Sequence, residues 1–99
     1  MIIIFPTSEN KGLQAKIVSD FENAKFYTLV RINKKGAVLS IKSIPSEELD
    51  SIEPYAIVSA SPINNPKYSN SNIFVDPTFS IVDKALVKVL REKLFNKAS

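Results

Sequence analysis

The sequence predicts an α/β fold: a mixed five-stranded sheet with a C-terminal helix packed on one face. Three observations carry this. Short apolar runs at residues 2–5, 55–59 and 73–75 read as three short buried strands, the first apolar on both faces. Two β-branched and aromatic runs, 26–32 and 37–44, flank a polar turn ending in Gly36, the pattern of an antiparallel hairpin. Residues 80–94 repeat their apolar positions at helical period. With 99 residues, 44% of them hydrophobic and 23% charged, the chain reads as one domain over 1–99, with no internal repeat.

The elements follow in order. Ile2, Ile3, Ile4 and Phe5 form a run that Pro6 is expected to stop. Residues 7–12 are polar and read as a loop. Ala15, Lys16, Ile17 and Val18 suit a short extended piece, and 21–24 holds no more than a helical turn. The turn Asn33-Lys34-Lys35-Gly36 places a glycine where positive φ is needed. Pro45 ends the return strand. Ser46 then stands before Glu47 and Glu48 as a candidate cap of a short helix closed by Pro54. Residues 61–72 combine prolines, asparagines and serines and read as loop, with Ile63 and Tyr68 its large apolar groups. These two either tack the loop to the body or mark a partner contact. Ser80 and Asp83 have capping-box spacing. Val82, Leu86, Val89 and Leu90 are expected to be buried together with Ile3, Val30 and Ile57.

Composition excludes much chemistry. The chain has no Cys and no His, so thiolate nucleophiles, histidine bases and zinc sites with Cys or His ligands cannot come from it. Its glycines are only Gly12 and Gly36, too few for a phosphate-cradling loop. The start lacks a signal-peptide pattern, no run is long enough for a membrane span, and the lack of cysteine fits a cytoplasmic protein. The net charge of +3 and pI of 9.2 fit ordinary solubility or, less well, a polyanion partner.

Around the first strand a family comes into view. Pro6-Thr7 ends a buried strand. After a polar loop, Val18-Ser19-Asp20-Phe21-Glu22-Asn23-Ala24-Lys25-Phe26 leads into the next one, and Val82-Asp83-Lys84-Ala85-Leu86 lies in the closing helix. This pattern resembles the dinitrogenase iron-molybdenum cofactor biosynthesis family. The resemblance implies a ribonuclease H-like fold and a non-enzymatic role in binding or carrying a metal–sulfur cofactor precursor. Where that family carries His-Phe-Gly-Arg-Ala, this chain reads Asp20 to Ala24, and no Cys or His is present to ligate a soft cluster. No iron-sulfur or iron-molybdenum cofactor is therefore expected to bind.

Ligands of open α/β sheets sit beyond the carboxyl ends of parallel strands. Thr7, Ser8, Ser59, Ser61 and Asp76 follow those strands here. The resemblance adds Ser19, Asp20 and Asn23 as family-equivalent positions. Together they form a hydroxyl- and oxygen-rich rim suited to a small polar ligand or a protein partner. The same residue types also cap turns. Asp20 and Glu22 read best as solvated acids, being poorly spaced to face each other. A hydrolase using Asp20, Asp76 and a divalent cation is disfavoured, since the strand interiors carry no carboxylates. The alternative function is nucleic-acid association through Lys84, Lys88 and Arg91, a stripe extended by Lys93 and Lys97. A solvated helix face accounts for that stripe better, because Phe95 is its only aromatic neighbour.

Overall fold

The computed structural model describes residues 1–94, with side chains up to Arg91. Strands β1 (Ile2–Thr7), β2 (Phe26–Ile32), β3 (Val38–Pro45), β4 (Ala56–Ser59) and β5 (Asn72–Val75) form one sheet in the order β3-β2-β1-β4-β5. β1 with β2 and β2 with β3 run antiparallel, whereas β1 with β4 and β4 with β5 run parallel. Helix α1 (Val82–Lys88), prolonged by a π-helical stretch at Val89–Leu94, packs on one face. This is the expected ribonuclease H-like mixed sheet. Among the described residues, no helix is long and apolar enough to cross a membrane.

The central strand explains the architecture. Successive side chains of β1 point to opposite faces, and residues 3–5 are all fully buried, so both faces need cover. On the helix face, Ile3, Phe5, Val30, Ile32, Ala56 and Val58 meet Phe79, Val82, Ala85, Leu86 and Val89. On the other face, Ile4, Tyr27, Leu29, Ile44 and Ile57 meet Phe21, Leu49 and Tyr68. These last three come from 3₁₀ turns at Phe21–Asn23, Ser46–Ser51 and Pro66–Tyr68. The second cover is thus built from turns, because 61–72 has no helical period. Phe21 anchors it, lying 5.2 Å from Tyr27 and edge-on to Tyr68 at 5.4 Å. Tyr68 therefore tacks the loop to the body.

Five expectations are corrected. The run 73–75 is not a buried strand: β5 is an edge of the sheet, its residues half-buried or exposed, because among the described residues only β4 pairs with it. Ile57 lies on the turn-covered face, opposite the helix, because its parallel register pairs it with Ile4 rather than Ile3. Pro6 does not stop β1; it pairs with Tyr27 and its carbonyl accepts from Val18 N–H at 2.9 Å. Pairing with β4 covers Ile3 and Ile4, and by Pro6 the segment around Ile17 has become the neighbour. The Ser80 capping box does not form. Ile81 is the cap residue, in extended conformation, and Val82 N–H donates to Ala15 O at 3.1 Å while Ile17 N–H donates to Ser80 O at 2.8 Å. A strand-like bridge between Lys16 and Ile81 thus satisfies the helix entrance in place of a side chain. Nor does Ser46 cap the following turn by its side chain; Pro45 precedes that turn as the cap residue. Gly36 does take positive φ, at 86°, in the hairpin turn.

Candidate functional site

The 3₁₀ turn Phe21–Asn23 forms because Asp20 caps it. Its Oδ1 accepts from Glu22 N–H at 3.1 Å and its Oδ2 from Asn23 Nδ2 at 2.6 Å. Across from it, Asn65 Oδ1 accepts from Lys67 N–H at 3.0 Å and starts the turn Pro66–Tyr68. Two bonds link these segments: Ser61 Oγ donates to Ser19 O, and Asn65 Nδ2 donates to Glu22 Oε1 at 3.3 Å. Between them lies an open cleft of about 470 Å³, lined by residues 20–22 and 62–66. Its lining mixes Phe21, Pro62, Ile63 and Pro66 with the carboxylates of Asp20 and Glu22 and the amides of Asn64 and Asn65.

The cleft holds only part of the rim expected from sequence. Asp20 lines it, and Ser19, Asn23 and Ser61 adjoin it through the bonds above. Thr7 and Ser59 are fully buried. Thr7 Oγ1 donates to Phe26 O at 3.2 Å and lies 3.3 Å from Thr28 Oγ1, so its hydroxyl is held inside the sheet. Ser59 Oγ donates to Ser61 O at 2.7 Å and accepts from Ser61 N–H, shaping the exit of β4. Ser8 is exposed, and its N–H donates to Lys16 O. The cleft's asparagines and prolines were not singled out from sequence. The sign available was Asn65-Pro66, an asparagine before a turn-starting proline.

Asp76 leaves the rim for the helix. Its N–H donates to Ser59 O at 3.0 Å, but its carboxylate turns to Thr78 and Lys88. Lys88 Nζ lies 2.6 Å from Asp76 Oδ2 and 5.7 Å from the centre of the Phe79 ring. The hydrogen bond from Lys88, then those from Thr78, hold the Asp76 carboxyl well below the usual carboxylate range. Such a pair stabilises the fold above that range, and the contribution is lost as pH falls through the lower value. Urea midpoints of the wild type and Asp76→Asn are expected to differ at neutral pH and to draw together towards about pH 2. A gap that stays constant would overturn this account of the pair.

Lys88, committed to Asp76 and part-buried, divides the basic stripe. Lys84 and Arg91 are exposed to either side of it. The side chains of Lys93, Phe95 and Lys97 lie outside the described residues.

The donor chemistry of the cleft does not match a soft metal–sulfur cargo. It offers two carboxylates and amides, and both Asp20 oxygens are already acceptors within its own turn. Among the described residues, no three His, Cys, Asp or Glu side chains group to hold a metal ion.

No family model and no curated protein sequence matches the chain. Solved structures do. The crystal structure of PH0822 has a TM-score of 0.76 and 10% identity over 95% of this chain and 93% of its own. The crystal structure of a candidate dinitrogenase (mj0327) from Methanocaldococcus jannaschii has a TM-score of 0.74 and 21% identity, covering 95% and 91%. The NMR structure of a candidate NifB protein from Thermotoga (TM1290), assigned to the DUF35 family, has a TM-score of 0.71 and 10% identity, covering 92% and 88%. At these identities the shared property is the fold, which this chain has in common with structures bearing dinitrogenase and NifB names.

Proposed function

We infer that the chain is a divergent, non-catalytic relative of the dinitrogenase cofactor-biosynthesis proteins that holds a small polar ligand in the cleft between residues 20–22 and 62–66. The observation that carries this reading is the cleft itself. Two capped turns bring two carboxylates and two amides together with Phe21, Pro62, Ile63 and Pro66 in one open cleft that holds no nucleophile–base pair. The shared fold supports the class of relative, and the residues of the cleft support the ligand chemistry. Asp20 and Glu22 make the cleft acidic, so the ligand that fits is a cationic donor, an amine or a guanidinium.

Arginine amide is the probe. In ¹⁵N–¹H spectra it is expected to shift amides of residues 20–23 and 62–66, and Glu22→Gln is expected to weaken that response. Acetate, an anion that Asp20 and Glu22 repel, is expected to leave them in place. An unmoved cleft with arginine amide would overturn the reading. Anaerobic incubation with iron and sulfide is expected to leave no stoichiometric cluster on the protein, because no thiolate or imidazole is available. Stable, stoichiometric iron and sulfide would restore a cluster-carrying role.

A further inference from the structure

We propose that the outer edge of β3 is a docking site for an extended, acidic segment of a partner protein, which adds to the sheet as a sixth strand. The site lies at the far end of the sheet from β4 and β5 and is independent of the cleft. Three observations meet there.

The first is an open edge. β3 pairs with β2 on one side and with nothing on the other, among the described residues. Alternate N–H and C=O groups of an edge strand point outward and accept a further strand.

The second is an uncovered apolar face. Val38, Leu39 and Ile41 are 43%, 58% and 39% exposed. Register places Ile41 beside Val30 and Val38 beside Ile32, so Ile41 and Val38 continue the helix-face core laterally. The helix covers the centre of that face, and the 3₁₀ turn Gly12–Gln14 reaches Ile41 at Gly12 without enclosing it. Contiguous exposed apolar groups on an edge strand are the usual footing for strand addition.

The third is segregated charge, and it selects the occupant. From residue 24 to 46 the chain carries Lys25, Arg31, Lys34, Lys35 and Lys42 and no acidic residue. Among the described residues none of these five joins an ion pair. Arg31 faces Ser40, and Lys42 faces Leu29, on the side of the sheet opposite the exposed valine and isoleucine. Along residues 38–43 the edge is therefore two-faced, apolar on the helix side and carrying Arg31 and Lys42 on the other; the acids Glu47 and Glu48 follow only in the turn beyond Pro45. A strand alternating apolar and acidic residues matches both faces at once. A second copy of this chain does not, because pairing β3 with itself brings two sets of cations together. Lys42 and the bulge between Arg31 and Ile32 also guard the edge against self-pairing. The bulge leaves the register of residues 40–45 regular, so that stretch remains a template.

The test uses the full chain with a capped octapeptide alternating valine and glutamate, and its counterpart with lysine in place of glutamate. The acidic peptide is expected to shift amides across β3 and at Arg31, to slow hydrogen exchange along 38–44, and to bind less tightly as salt rises. The lysine peptide is expected to leave β3 unmoved. Arg31→Glu/Lys42→Glu, both at exposed positions, is expected to weaken the acidic peptide about tenfold and to admit the lysine peptide. Any of four results would overturn the proposal. The acidic peptide shifts nothing on β3. The double variant, shown folded by its spectrum, binds it unchanged. Sedimentation shows the protein pairing with itself through β3. A duplex or single-stranded oligonucleotide shifts the β2–β3 hairpin at concentrations where the peptide does not.

Discussion

Leu86→Ala is expected to cost about 2–5 kcal/mol, a large share of the roughly 5–15 kcal/mol that holds a domain of this size. Leu86 is 4% exposed and packs from α1 into the core formed by Ile3, Phe5, Val30 and Val58. Truncation removes three carbons from that core and leaves a cavity that the sheet beneath is too rigid to fill. Its neighbour Val87 is 46% exposed, so Val87→Ala is expected to stay within about ±0.5 kcal/mol. Urea unfolding followed by circular dichroism measures both. Equal losses in the two variants, or no loss in Leu86→Ala, would show that the helix does not pack as described.

Between about pH 10 and 12 the protein is expected to lose about 2–3 kcal/mol through Tyr27 alone. The phenol is almost fully buried, and its hydroxyl donates to Phe21 O at 2.5 Å. Burial foremost, with nearby Tyr68 and Glu22, pushes its pKa up from 10.0 to about 12. The folded state therefore holds the phenolic proton more tightly than the unfolded chain. The resulting stabilisation is complete below the unfolded pKa and is lost as pH rises through the folded one. Tyr27→Phe isolates the effect from lysine titration, which both proteins share. At neutral pH the variant is expected to be less stable by about 1–3 kcal/mol, since Phe21 O loses its donor. That difference is expected to shrink as the pH passes from about 10 to about 12. Parallel alkaline profiles for the two proteins would contradict the buried phenol. Because Phe21 also lines the cleft, this hydrogen bond couples the cleft's wall to the core of the sheet.

Much of the fold was legible because local chemistry and global position agree. Three isoleucines and a phenylalanine in succession have no exposed face, so a central strand follows from them. Asn33-Lys34-Lys35-Gly36 specifies its own turn through Asn33 Oδ1, which accepts from Lys35 N–H and Ala37 N–H, and through the positive φ of Gly36. The closing helix follows from the spacing of Val82, Ala85, Leu86 and Val89. The candidate site was less legible. Thr7, Ser59 and Asp76 have the right types at the right strand ends, yet their side chains are spent on Thr28, Ser61 and Lys88. Residue type carries no information about which partner a hydroxyl or carboxylate finds first.

The strands, the hairpin, the helix and the absence of thiolate and imidazole chemistry follow from short windows of residues or from composition. The rest comes from the packing of these elements in three dimensions. It set the sheet order, and it put Ile57 on the face away from the helix. A continuous apolar run is equally hydrophobic on either side, so only register against Ile4 assigns its faces. It joined 20–22 to 62–66 as two walls of one cleft, a pairing across some forty residues that no local pattern encodes. It also left β3 at the edge of the sheet. The same residues Val38, Leu39, Ile41 and Lys42 would suit an inner strand; the register shift opposite Arg31 and Ile32 puts Val38 on the face of Ile41, and the exposure of that side follows from where the helix ends its cover and from the lack of a sixth strand in the chain's described residues.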